Sequence, residues 1–210
     1  MLWKYDPGSN QYIGPADAPA GLGTGSDIMY YGGDLYVVRG ASTTTLYGYD
    51  IATNVWSTLA VAPAALADDI RGVVAGAYIY FFRGSNTTTF YRYSIAGNSW
   101  STMTAAPAAV RFGASLAYPG SGDYIYATRG ASTTAFWRYS ISGNSWDDVS
   151  VADLPTDSEA TYGSAMVSDG TDMFYFPGTG IKRFFQYDVS GNTWVELSPV
   201  PFSPYYGTDM

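Results

Sequence analysis

An all-β fold made from one repeated antiparallel unit is what this sequence predicts, and three observations predict it. First, one ungapped pattern recurs from Arg39 to Trp56, Arg83 to Trp100, Arg129 to Trp146 and Pro177 to Trp194. Each copy opens on Arg-Gly or Pro-Gly, passes a pair of large apolar residues and a Tyr, and closes on Asn-x-Trp. Second, the apolar runs are short, bounded by turn residues and without helical periodicity. Third, the Tyr recurs at Tyr5, Tyr49, Tyr93, Tyr139 and Tyr187, a period of about 45 residues. All added length falls between the Trp and the next Arg-Gly or Pro-Gly. Such a unit buries its apolar face on the next copy, and four short antiparallel strands per period make a β-propeller blade.

The second period shows the elements in order. Ile70 to Ala75 reads as a first strand ending near Gly76, and Tyr78 to Phe82 as a second, aromatic and buried on both faces. Arg83 to Thr88 is a polar connection. Phe90 to Ser94 makes a third strand, Ala96-Gly97-Asn98 supplies the turn, and Trp100 to Met103 makes a fourth. Pro107 then stops ladder pairing and sends the chain onward. A truncated copy opens the chain: Leu2, Trp3, Tyr5, Asp6, Asn10 and Tyr12 match Leu46, Tyr47, Tyr49, Asp50, Asn54 and Trp56.

The expected organisation is one body, 1–210. It has a partial blade over 1–20, blades over approximately 21–63, 64–107, 108–155 and 156–200, and a partial strand over 201–210. That is about five blades, one incomplete. Self-closure would set Tyr205-Tyr206-Gly207 against the blade begun at Leu2, leaving an edge that proteins normally cover. A longer propeller and completion of the open blade by another chain are the other two readings.

A Tyr followed by Asp or Ser, then Asn-x-Trp, then a small apolar strand and a Pro, resembles the kelch repeat over nearly the whole chain. The Gly-His and Trp-Asp signatures of the other common propeller repeat are missing. Where kelch repeats carry Gly-Gly after the second strand, this chain has Arg39-Gly40, Arg83-Gly84, Arg129-Gly130 and Pro177-Gly178. The resemblance implies a kelch-like β-propeller that presents loops and edges to partners.

Composition narrows the chemistry. The formal charge is −8, with Lys4 and Lys182 the only lysines, so counterion displacement from nucleic acid is not expected. There is no cysteine and no histidine, which removes thiolate chemistry, the usual structural zinc sites and the commonest general base. Copper oxidases of the kelch group need those ligands. The Asp-box repeat of sialidases is not reproduced, so a sialidase-like glycosidase is the weakest reading. No stretch reaches the ~20 apolar residues of a membrane span, and the N-terminus lacks the regions of a signal peptide. No catalytic residue, metal or cofactor is expected.

Candidate binding residues are therefore few. Arg39, Arg83 and Arg129 share one blade position, so closure sets them on an arc. The arc either clamps a carboxylate, sulfate or anionic sugar or fastens each blade to an acid or a loop carbonyl; repetition favours fastening. Thr43 to Thr45, Thr87 to Thr89 and Thr133-Thr134 are contacts to sugar hydroxyls or a protein partner, or, more often for such stretches, solvated loops beside a strand start. Trp56, Trp100, Trp146 and Trp194, with Tyr49, Tyr93, Tyr139 and Tyr187, are expected to pack between blades. Among aromatics outside the repeat (Phe112, Tyr118, Tyr162, Phe202, Tyr205 and Tyr206), Tyr205 and Tyr206 stand nearest the open edge. Asp68-Asp69, Asp147-Asp148 and Asp153, Asp157, Glu159 lack calcium-loop spacing and read as solvated acids. The function expected is a non-enzymatic structural or binding module for protein subunits of a larger assembly, possibly a homo-oligomer. Its repeats resemble those of phage particle and bacterial surface proteins, which implies a virion or extracellular setting. Glycan or anionic-ligand recognition through the Arg arc and loop aromatics is the rival.

Overall fold

The computed structural model describes residues 4–14 and 16–201, and within them every regular element is a strand. Tyr205, Tyr206, Phe202 and the expected strand after Pro201 lie outside the described residues. A hairpin of β1 (Lys4–Asp6) and β2 (Gln11–Ile13) comes first. Blade I holds β3 (Asp27–Tyr31), β4 (Asp34–Val38), β5 (Leu46–Asp50) and β6 (Val55–Thr58). Blade II holds β7 (Arg71–Ala75), β8 (Tyr78–Phe82), β9 (Phe90–Ser94) and β10 (Ser99–Thr102). Blade III holds β11 (Ser115–Ala117), β12 (Tyr124–Thr128), β13 (Phe136–Ser140) and β14 (Ser145–Asp147). Blade IV holds β15 (Ala165–Ser168), β16 (Met173–Phe176), β17 (Phe184–Asp188) and β18 (Thr193–Leu197).

Each blade is an antiparallel meander in sequence order, and the first strands β3, β7, β11 and β15 pack in succession around the axis. The fold is a β-propeller. The second strands of blades II and III are covered along nearly their whole length, β8 from Ile79 to Phe82 and β12 from Ile125 to Thr128, because both their faces meet other blades. Three buried clusters fill the spaces between successive blades. Val38 and Leu46 of blade I meet Ile79 and Phe81 of blade II. Tyr80, Phe82 and Phe90 meet Ile125, Trp137 and Tyr139. Tyr126 and Phe136 meet Tyr175, Phe185 and Tyr187.

The repeat's signature residues build the joints between these blades. The register sets Tyr49 opposite Trp56, Tyr93 opposite Trp100, Tyr139 opposite Trp146 and Tyr187 opposite Trp194. The Asn of each Asn-x-Trp takes the left-handed turn conformation (φ 58° at Asn54, 42° at Asn98) that Asn tolerates better than most residues. Its Oδ1 accepts the Tyr hydroxyl of its own blade, at 2.8 Å for Tyr93–Asn98 and 2.7 Å for Tyr139–Asn144.

The same Oδ1 also accepts a backbone N–H from the segment leaving the preceding unit, while the Trp indole N–H donates to the C=O of that same residue. Asn98 and Trp100 hold Ala60 at 2.7 and 2.7 Å. Asn144 and Trp146 hold Thr104 at 3.0 and 3.0 Å. Asn192 and Trp194 hold Ala152 at 2.9 and 3.0 Å, and Asn54 and Trp56 hold Ala16 at 2.9 and 2.7 Å. One motif thus satisfies both backbone polar groups of a residue that belongs to no ladder. The Trp rings also pack between blades as expected: Trp146 lies 5.7 Å from Phe82, nearly parallel to it, and Trp194 stands edge-on 5.0 Å from Phe136.

Candidate functional site

The Arg arc is structural in its bonding. Arg39, Arg83 and Arg129 each direct Nε to a carbonyl in the segment leading into their own blade: Gly21 at 3.1 Å, Ala65 at 3.0 Å and Ala109 at 3.2 Å. The acceptors are loop carbonyls, with no acidic partner among the described residues. The Gly after each Arg is required by contact. A Cβ on Gly84 would stand 2.1 Å from the Asp68 carbonyl oxygen, and one on Gly130 2.3 Å from that of Phe112. Thr43, Thr87 and Thr133 turn their hydroxyls back onto the Gly40, Gly84 and Gly130 carbonyls and bridge to the next blade at Leu66, Val110 and Ala160. These threonines are joints, and their hydroxyls are already engaged.

The segments packed beneath those glycines run just before β3, β7, β11 and β15 and gather at one end of the axis. There Thr24, Ser26, Asp68, Asp69, Arg71 and Tyr162 border a cavity of about 550 Å³. The repeat places Gly25, Asp69, Gly113 and Gly163 at one equivalent position, all left-handed, with φ of 72°, 65°, 78° and 74°. A Cβ on Gly25 would stand 2.1 Å from the Ala67 carbonyl oxygen, and one on Gly113 2.3 Å from that of Thr161. Only blade II puts a side chain there, and it is a carboxylate.

The surroundings of Asp69 are mixed. Burial pushes its carboxyl up from the ordinary carboxylate range; Arg71 pulls it down, Asp68 pushes it up and Arg111 pulls it down. Across the axis Phe112 and Tyr162 stack with centroids 4.1 Å apart and planes 10° from parallel. The Arg111 guanidinium lies 5.3 Å over the Phe112 ring. Asp27 accepts the backbone N–H of Gly72 at 2.7 Å, tying blade I to blade II. Sequence reasoning singled out Phe112 and Tyr162, and the structure brings them together. It treated Asp68-Asp69 as solvated loop acids, whereas Asp69 is half-buried at the axis. Aligning the segments before each first strand would have exposed Asp69 as the departure from Gly.

Asp147 is likewise no free acid. It pairs with Arg138 at 2.9 Å and accepts the Ser150 hydroxyl, and these bonds, the serine's first, hold its carboxyl down at about 2. Among the described residues no group of three acidic side chains could hold a metal ion, and no helix is long and apolar enough to cross a membrane.

A second distinctive region is the side where blade I faces the hairpin. Ile28 sits opposite Val37, as Leu116 sits opposite Ala127 and Met166 opposite Tyr175. Leu116 and Met166 are 7% and 8% exposed, but Ile28 is 50% exposed. On the far face of blade IV, Val167 sits opposite Phe174 as Ala117 sits opposite Tyr126, yet it is 40% exposed against 4%. Phe174 and Phe184 stack there at 5.9 Å, outside all three interblade clusters. In the hairpin, Tyr12 occupies the Trp position and is 70% exposed.

No known protein family matches the chain, and no curated protein matches it. Among solved structures it is similar to that of YjhT, at 17% identity and a TM-score of 0.70, over 89% of this chain and 68% of the other. That likeness is one of fold.

Proposed function

We propose that this chain is a kelch-like propeller acting as a non-enzymatic binding module, a subunit that docks other polypeptides at its incomplete blade. The observation that carries this reading is the contrast at one repeat position, where Ile28 is half exposed and Leu116 and Met166 are buried. Apolar side chains that a neighbouring blade covers elsewhere are bare on this side, and contiguous exposed apolar surface marks interaction sites. Among the described residues the hairpin supplies only the third and fourth strands of its blade, so β1 pairs with β2 alone. A partner that adds strands to β1 gains ladder hydrogen bonds and covers Ile28, Tyr30 and Val167 at once. Few lysines, no cysteine and closely similar repeats suit a virion or extracellular assembly. The absence of His and Cys from the sequence supports a role without chemistry.

The test uses a synthetic peptide with the sequence of residues 71–82, the first two strands of blade II, titrated into the intact chain. Saturable binding near one-to-one is expected, lost in the Tyr30→Asp, Val167→Asp double variant. No saturable binding, or equal binding to that variant, overturns the reading.

A further inference from the structure

We infer that Arg92, on the outer part of blade II, is a recognition site for a carboxylate carried by an extended acidic segment of another polypeptide. The site is separate from the incomplete blade, and a comparison of blades II and III marks it. In blade II, Tyr80 sits opposite Arg92, and Arg92 opposite Ser101. In blade III, Tyr126 sits opposite Arg138, and Arg138 opposite Asp147. Each guanidinium lies over the tyrosine that heads its second strand, Arg92 over Tyr78 and Arg138 over Tyr124, both at 4.5 Å. Blades I and IV place Gly48 and Gln186 at the Arg position.

Only blade III completes the arrangement. One Asp147 oxygen accepts Arg138 Nε at 3.0 Å and lies 2.9 Å from its Nη2. In blade II that register position holds Ser101, which is exposed and carries no charge. The two ion pairs among the described residues are Arg138–Asp147 and Arg183–Glu196, so Arg92 has no carboxylate partner there.

Tyr80 adds an independent sign that an acceptor is missing. Its side chain is fully buried, and its hydroxyl has no partner at hydrogen-bond geometry. Burial pushes this hydroxyl up from its ordinary range, and Arg92 beside it pulls it down. A guanidinium only donates, so it cannot take the tyrosine proton. Arg92 and Tyr80 thus gather donors without an acceptor, and a carboxylate is the acceptor that binds such a cluster most strongly.

The surroundings indicate what carries that carboxylate. A lone guanidinium that water reaches holds a free carboxylate weakly, so the ligand needs further contacts. Next to Arg92, strand β10 pairs with β9 alone among the described residues. Its other edge is open to an added strand. Ser101 and Thr102 are exposed there and small, so a glutamate on the added strand can reach past them to Arg92. An extended segment on β10 gains ladder hydrogen bonds and places its acid where Asp147 stands in blade III.

The probe is the peptide acetyl-Thr-Val-Glu-Val-Thr-amide, with Gln in place of Glu as the neutral control and acetate as the free carboxylate. Each is titrated at constant ionic strength into the intact, isotope-labelled chain, and NMR follows the side-chain Nε–H resonance that Arg92→Gln removes. The acidic peptide is expected to shift this resonance saturably and to bind about fivefold or more tightly than the Gln peptide. Ser101→Asp supplies the blade III carboxylate from within, so it is expected to abolish the shift and to melt no lower than wild type. Ser101→Asn, similar in size but uncharged, is expected to keep the shift. The Tyr30→Asp, Val167→Asp variant is expected to respond as wild type does, which separates this site from the incomplete blade. The inference is overturned by no saturable shift, by equal affinity for the Gln peptide, or by a response to acetate as strong as that to the peptide. It is also overturned by a shift that survives in Ser101→Asp or is lost in Ser101→Asn.

Discussion

The joint between blades II and III and the hairpin at the start of the chain are two versions of one motif. At the joint, Trp146 stacks on Phe82, stands edge-on to Phe90 and donates its indole N–H to Thr104, while Asn144 takes the N–H of the same residue. In the hairpin, Asn10 still turns left-handed and accepts the Tyr5 hydroxyl at 2.8 Å, but Tyr12 stands where the Trp would be. Tyr has no N–H to offer at that point, and its ring is largely in water. The difference teaches that the Tyr–Asn pair belongs to the turn within a blade, whereas the Trp belongs to the joint between blades. A copy can keep the first and lose the second.

The largest expected effect breaks this contrast directly. Trp146→Ala removes a packed ring and a hydrogen bond between blades and is expected to cost about 3 kcal/mol. Tyr12→Ala at the equivalent place is expected to cost less than about 0.5 kcal/mol. Urea unfolding of both variants measures the difference, and similar losses would erase the distinction between joint and hairpin.

A smaller effect appears at high pH. Burial pushes Tyr93, Tyr139 and Tyr187 up to about 12, while an unfolded tyrosine ionises near pH 10. A raised folded value means that their contribution is complete below about pH 10 and is lost as pH climbs toward 12. Melting temperature should fall steeply across that interval, and Tyr187→Phe should make the fall shallower. A flat profile from pH 9 to 11.5 would show that these hydroxyls are not withdrawn from water.

The smallest effect concerns the arc. Arg83→Ala loses the Nε bond to the Ala65 carbonyl and should cost about 1 kcal/mol. Unchanged stability in thermal melts of Arg83→Ala would show that this bond does not fasten the blade.

Much of the fold was legible because its signals are periodic. Strands Tyr78–Phe82 and Phe90–Ser94 fall where the second period places them, and the first and fourth shift by one residue at their ends. The fixed Tyr, Asn and Trp spacing carried this, since a turn and a joint constrain residue type at fixed steps. The axial cavity was harder to read. It gathers residues from segments that vary in length and lie far apart in sequence, so no local pattern marks Asp69 beside Tyr162. Likewise, the fastening of the Arg arc to backbone carbonyls left no acidic partner in the sequence to reveal it. The bare side of blade I was foreseen as an incomplete blade, but the exposure of Ile28 and Val167 follows only from which neighbours are present.

The most direct test of the open-side account is the solution mass of this chain, by light scattering behind size exclusion. The exposed face of blade I, the far face of blade IV and the edge of β1 that no other described strand pairs predict a defined multimer of the 22.6 kDa chain that falls to one chain in the Tyr30→Asp, Val167→Asp variant. A compact wild-type monomer of 22.6 kDa with no tendency to associate would contradict it.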